Sequence, residues 1–127
     1  THEHADHLAG IPVFSRRYRI PVYTNLGGLP GVHDIRRFER SAGFIHGDLT
    51  LHPFEVSHDA EDPVGFRIEG GGAALGYATD LGYVTPLVET MLRRVDALIV
   101  EANHDPELLD RCDYPWPLKV RIRSERG

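Results

Sequence analysis

The first seven residues, THEHADH, hold three histidines and two carboxylates, and no apolar core accepts such a cluster unless every charge is paired. A solvated face tolerates the carboxylates but gives no reason for so many imidazoles. The stretch therefore belongs at the rim of a fold, where a cation can collect it. His2 and His4 alternate, so on an extended segment both side chains point the same way. Asp6 and His7 follow on a turn that opens a helix and can reach a second position nearby. The spacing lets His2 and His4 grip one ion while Asp6 and His7 grip another. Imidazole and carboxylate without sulfur suit Zn, Mn or Fe in a water-accessible site. The HExxH protease pattern does not fit, because Asp6 stands where its second histidine belongs. The plainer alternative is a histidine-rich surface that holds no ion.

Cys112 is the only cysteine, so an internal disulfide and a thiolate cluster are both excluded, and any metal must be held by His, Asp and Glu. This cysteine usage fits a reducing cytoplasm. The 127 residues make one domain at most. No apolar run approaches the roughly 18 residues of a membrane span; ALIV at 97–100 is strand-sized. No leader is visible, and because the chain opens on Thr1 rather than Met, residues are expected upstream. A net charge of −5 looks unfriendly to nucleic acid, yet a bound cation would neutralise several carboxylates. Lys119 is the only lysine among 14 basic residues. Arginines cluster at Arg16/Arg17/Arg19, Arg36/Arg37/Arg40 and Arg121/Arg123/Arg126, a type that binds phosphate bidentately. Arginine-rich codon usage in a GC-rich genome accounts for them more simply.

Along the chain, a polar loop at 1–7 leads to a short helix from Leu8 to about Arg17, and IPVYTN (20–25) reads as a strand. Val32 to about Arg40 reads as an amphipathic helix. DLTLHPFEV reads as a strand broken or bulged at Pro53. VGFRIE, the turn GGG at 70–72 and AALGYAT form a hairpin, with the second arm apolar enough to be buried on both faces. Thr85 and Pro86 look like an N-cap and first helical position. After them Leu87, Val88, Met91, Leu92 and Val95 recur at helical spacing. DALIVEANHD reads as a buried strand entering a polar loop, and the tail YPWPLKVRIRSERG as a proline-fixed loop before basic helix. Strands alternating with helices around a central hairpin indicate an α/β or α+β domain with a mixed sheet. Polar residues fall where strands end, at Thr1–His7, His58–Asp59, Thr79–Asp80 and Glu101–Asp105, so four loops could meet at one sheet edge.

At this point the chain resembles a known family. THEHADH matches the HxHxDH signature of the metallo-β-lactamase superfamily. VSHDAEDPVGFRI, ATDLGYV, VEANHD and YPWPLKVRI, at these separations, resemble its YycJ/WalJ-type branch, bacterial proteins associated with double-stranded DNA exonuclease activity. The resemblance implies an αββα sandwich with a two-metal site at one edge. His2, His4 and His58 would bind the first metal, and Asp6 and His7 the second, with Asp80 bridging. Asp6 would also belong to the catalytic set. His58 taken alone is as well read as a structural histidine, and Asp80 as a helix cap or Asx turn. Glu101 and His104 occupy the place of proton-transfer or phosphate-orienting residues, so His104 is a candidate general acid; the alternative is that they merely steady the ligands. Asp59 and Asp105 are expected to be structural, and His33, His46 and His52 to lie at the surface.

Two divalent ions about 3.5–4 Å apart would make a shared water nucleophilic toward phosphorus, and also toward an amide or thioester carbonyl. The YycJ-type segments favour phosphodiester hydrolysis, hence DNA as partner. The rival readings are a thioester, lactone or lactam hydrolase of the same superfamily, and a metal-stabilised binding module. The pattern also departs from the family. Strands should precede HxHxDH, and a seventh ligand, in a GHLS-like segment, should follow Gly127. The expectation is therefore a single partial domain over 1–127, incomplete at both ends, that folds poorly and holds its second ion weakly by itself. Oligomeric state is not legible.

Overall fold

The computed structural model describes residues 1–101 and 104–125; Arg126, of the third arginine cluster, lies outside them. Two sheets carry the chain. A small parallel pair joins β1 (Val22–Thr24) to β2 (Ile35–Arg37), with Val22 opposite Ile35. The main sheet runs β3 (Phe44–His46), β4 (Leu49–Glu55), β5 (Val64–Gly70), β6 (Ala73–Ala78) and β7 (Ala97–Val100) in that spatial order. It is antiparallel up to β6, and β7 then returns parallel to β6. That return needs a crossover, supplied by α3 (Pro86–Leu92).

The hairpin forms as its glycines dictate. Gly70 pairs with Ala73, leaving Gly71 and Gly72 as the loop, both at positive φ (60° and 82°), a conformation that favours residues without Cβ. Thr85 caps α3 by accepting from the Val88 amide at 3.2 Å, with Pro86 in the first turn. The helix then turns the fully buried Val88 onto Phe54, Val56 and Ala78, with Leu81, Met91 and Leu92 packed around them. Arg67 on β5 donates from Nη1 to the carbonyls of Met91 and Arg93 at 3.0 Å each, satisfying the exposed end of α3. Ring contacts of Tyr23 with Phe44 (4.8 Å), Phe44 with Phe38 (5.0 Å) and Phe38 with Phe66 (5.6 Å) tie the small sheet to the large one.

Several local expectations are corrected. Residues 32–40 form no helix, because Ile35–Arg37 instead completes a ladder against β1, and long-range pairing overrides helical pattern. The first helix does not run unbroken from Leu8: α1 (Ala5–Leu8) stops, and α2 (Ile11–Tyr18) restarts from Gly10 with Pro12 in its first turn. A continuous helix would have put that proline in the interior. Strand β4 is not interrupted at Pro53, which pairs with Phe66; β3 reaches only Leu51, so at Pro53 just one side of β4 is laddered, which a residue without N–H tolerates. Along β6 only Gly76 and Ala78 are buried, and β7 is exposed throughout. As the edge strand it has no neighbour beyond it and no covering helix among the described residues. Leu87 lies on the outer side of α3 and is exposed. Just after the region read as polar loop, Pro106–Arg111 forms α4, which the sequence reading did not assign, with Asp105 as its cap, accepting from the Glu107 and Leu108 amides at 2.8 and 3.1 Å. The tail is helical as expected, α5 covering Trp116–Ile122.

Gly65 sits opposite Phe54, and an added Cβ would lie 2.7 Å from that ring and 2.8 Å from the Tyr77 carbonyl oxygen. Gly65→Ala is therefore expected to cost about 1–3 kcal/mol, seen as a lower urea midpoint with an unchanged m-value.

Candidate metal centre

The site is assembled at the ends of strands. Residue His4 is extended (φ −60°, ψ 145°) and gives way at once to α1, so the HxH pair and the DH pair occupy a strand-like segment and a helical turn. The carbonyl of Thr1 accepts from the Val64 amide at 3.0 Å, fixing this segment against β5. Glu3 Oε1 accepts from the Glu61 amide at 2.8 Å, tying it also to the loop that carries His58. Burial pushes the Glu3 carboxyl up, but the amides of Glu3 and Glu61 outweigh it and leave it below its ordinary range.

Around this frame, two groups of donors come together: His2 with His4 and His58, and His2 with His7 and Asp80, the ligand atoms in each lying within 4.8 Å of one another. In the first group His58 Nε2 lies 3.3 Å from His4 Nδ1, and the His2 ring stands 4.5 and 4.8 Å from the His4 and His58 rings. In the second, His7 Nε2 lies 3.3 Å from Asp80 Oδ2, and the His2 and His7 rings are 4.1 Å apart. The outcome differs from the spacing argument in two respects. His2 is common to both groups, and Asp6, highly exposed, stands beside rather than inside the second, its Oδ2 3.7 Å from His7 Nε2.

His2 is 2% exposed and its Nε2 has no hydrogen-bond partner among the described residues. Its Nδ1 lies 3.2 Å from Thr1 Oγ1, which is also 3.2 Å from His7 Nδ1. Burial, followed by the neighbouring His7, pushes the His2 imidazole down to about 4, so at neutral pH it is uncharged with a lone pair available. An orphaned buried nitrogen costs about 1–3 kcal/mol unless something binds it. A divalent cation among these imidazoles and carboxylates would supply that partner, so the donor set fits a metal.

Asp80 follows β6 in the left-handed region at φ 55°, a conformation that Asp tolerates better than most residues. Glu101, after β7, holds it there: the Asp80 amide donates to Glu101 Oε2 at 2.8 Å and the Leu81 amide to Oε1 at 3.0 Å. Both Glu101 oxygens are thus engaged with backbone. His104 is exposed beyond residues 102–103, which lie outside the described part. Asp59 receives a fork from α5, with Arg121 Nε to Oδ2 at 2.7 Å and Nη2 to Oδ1 at 2.8 Å, and Oδ1 stands 3.5 Å from His58 Nε2. That hydrogen-bonded guanidinium holds the Asp59 carboxyl below its ordinary range. A cleft of about 680 Å³ opens from His58 and Asp59 toward Arg40 and Tyr83. His33 and His46 are exposed and His52 is half-buried, facing Glu69. None of the three joins a donor group, and Cys112 instead donates to the Leu109 carbonyl.

Sequence reasoning missed Thr1 as the link between two imidazoles, Glu3 as anchor and the Arg121–Asp59 pair. Thr1 adjoins the motif and could have been suspected. Nothing in local sequence joins residues 62 positions apart.

A family model described as beta-lactamase superfamily domain matches residues 1–111. Exodeoxyribonuclease YycJ of Bacillus anthracis is 35% identical over 139 residues, which take in 100% of this chain and 52% of that protein. Exodeoxyribonuclease WalJ of Streptococcus pneumoniae (strain D39) is 33% identical over 138 residues, 100% of this chain and 51% of that protein. The chain thus spans about half the length of the curated relatives it matches. Among solved structures, Zn(2+)-bound PqqB from Methylobacterium extorquens superposes with a TM-score of 0.70 over 97% of this chain and 47% of its own, at 18% identity, a likeness of fold.

Glu101→Ala strands two amides at the Asp80 turn. It is expected to lower stability by about 1–3 kcal/mol in urea titration and to reduce metal retained per chain after dialysis, with Glu101→Gln losing less of both.

Proposed function

Since the chain belongs to the β-lactamase superfamily, with the metallo-β-lactamase fold and a YycJ/WalJ-type sequence, we propose that it forms the metal-binding part of a cytoplasmic hydrolase that cuts phosphodiesters in DNA, removing nucleotides from an end. The observation that carries this reading is the buried, unpartnered Nε2 of His2 at the junction of two donor groups. His2, His4 and His58 would hold one divalent ion. His7 and Asp6 would hold a second, with Asp80 between them, and Zn, Mn or Fe suits such donors. When bound, the ions supply Lewis acidity toward the phosphoryl oxygens and a water that ionises near neutral pH.

The chain's own groups do the rest. Thr1 and Asp59 border the ring nitrogens of His2, His7 and His58 and orient them. Glu101 fixes the backbone of Asp80 so that its carboxylate faces His7. His104, exposed in the chain beyond β7, donates a proton to the departing sugar oxygen. The nuclease names of the two relatives favour a nucleic-acid substrate over a carbonyl one. Residues 1–127 would form part of one domain. No helix among the described residues is long and apolar enough to cross a membrane.

In the full-length protein, bis-p-nitrophenyl phosphate and a 5′-phosphorylated duplex are expected to be hydrolysed, and nitrocefin and a glutathione thioester not; turnover of the carbonyl substrates alone would overturn the assignment. Asp80→Asn, which keeps the left-handed turn, should leave the fold intact by circular dichroism and lower kcat at least about 100-fold. His104→Ala should slow DNA cleavage by about 100-fold and spare bis-p-nitrophenyl phosphate, whose leaving group needs no acid. Chelation with EDTA should abolish turnover, and added Mn or Zn should restore it.

A further inference from the structure

Beside the second donor group, and sharing no lining residue with the cleft at His58, lies a groove of about 480 Å³ whose lining includes Asp6, His7, Ile11, Phe14, Ile20 and Tyr23. His7 of the second donor group therefore lines it together with aromatic and aliphatic side chains. The rim is α2. There Phe14 and Tyr18 are each 56% exposed, their rings 4.7 Å apart, and the Arg17 guanidinium lies 5.8 Å from the Tyr18 centroid. On the other rim Arg36 stands 5.7 Å from the Tyr23 centroid and donates to its hydroxyl at 3.2 Å.

The longest run of arginines without an ion pair among the described residues falls on the same helix, Arg37 and Arg94 lacking one singly. Many arginines of this acidic chain are matched: Arg40 with Asp62, Arg67 with Glu69, Arg93 with Glu89 and Arg121 with Asp59. Arg16, Arg17 and Arg19 make no ion pair among the described residues, and all three sit on α2 or its left-handed cap. Exposed aromatic rings cost burial free energy until something flat covers them. Three adjacent unmatched guanidiniums call for anions at short intervals. A chain that alternates flat apolar faces with single negative charges is a single strand of nucleic acid.

We propose that the α2 groove is the binding track for an unpaired stretch of the DNA strand being cut. Bases stack on Phe14 and Tyr18, phosphates lie along Arg16, Arg17 and Arg19, and the groove delivers the scissile phosphodiester to His7 and Asp6. A duplex would enter this track only where its end has opened. The inference rests on the phosphodiesterase reading above and adds to it the form of the substrate.

The test uses the full-length protein and a fluorescein-labelled 12-nucleotide single strand, with bis-p-nitrophenyl phosphate as a substrate that has no base. Phe14→Ala removes an exposed ring, so folding is expected to hold, and thermal melting checks this. The ratio of kcat/KM on the oligonucleotide to that on the small phosphodiester should fall about tenfold, since stacking contributes roughly 1–3 kcal/mol per base. The loss should appear in KM. Arg17→Ala should weaken oligonucleotide binding, read by fluorescence anisotropy, and reduce its salt dependence by about one unit of slope. An unchanged ratio together with unchanged anisotropy overturns the track while leaving the phosphodiesterase reading standing. If the wild type cleaves neither phosphodiester, that reading fails, and anisotropy alone then decides the track: loss of binding in Phe14→Ala supports it, and unaltered or absent wild-type binding overturns it.

Discussion

Burial of His2 is the constraint on which the rest of the site depends. A side chain that is 2% exposed cannot turn away to find water, and its position is fixed from behind by the Thr1 carbonyl on the Val64 amide. The other donors then arrange themselves around it. His4 and His58 form one donor group with it and His7 and Asp80 another, so a single imidazole is common to both. Burial pushes that imidazole down to about 4, so His2 is uncharged at neutral pH and adds no charge to the crowded rings around it.

Around this centre, the sheet acts mainly as a jig. The HxH segment, the 57–63 loop and the turn after β6 all emerge at one edge, and each is secured by a carboxylate accepting backbone amides: Glu3 for Glu61, and Glu101 for Asp80 and Leu81. Charge-assisted bonds of this kind are stronger than neutral ones, and they place rigidity where a ligand must not wander. The left-handed Asp80 shows the same logic, because a residue held at φ 55° persists only where its surroundings hold it there.

What the sequence made legible follows from how local each signal was. The Gly71–Gly72 turn and the Thr85–Pro86 cap are complete within a few residues and appear where they were expected; HxHxDH folds as an extended segment and a helical turn, but its Asp6 stands outside both donor groups. The convergence of Thr1–His7, His58, Asp80 and Glu101 at one edge was also legible, through strand ends and family likeness together. Errors arose where distant partners decide the outcome. Ile35–Arg37 is a strand only because β1 lies alongside. Apolar Leu98, Ile99 and Val100 looked like core, yet each is close to half exposed at the sheet edge. Glu101 was recognised as belonging to the site, but its engagement with two amides depends on the turn geometry of Asp80, which composition does not encode.

The loop bearing His58 is steadied by Arg121 of α5, and Ser57 Oγ additionally donates to the Glu125 carbonyl just beyond that helix, so both grips come from the last stretch of the chain. During synthesis on the ribosome the histidines emerge long before that helix does. An ion captured by the nascent polypeptide would therefore meet a loosely hinged His58, and ligand geometry would tighten only after α5 has docked, making metal loading a late step of maturation.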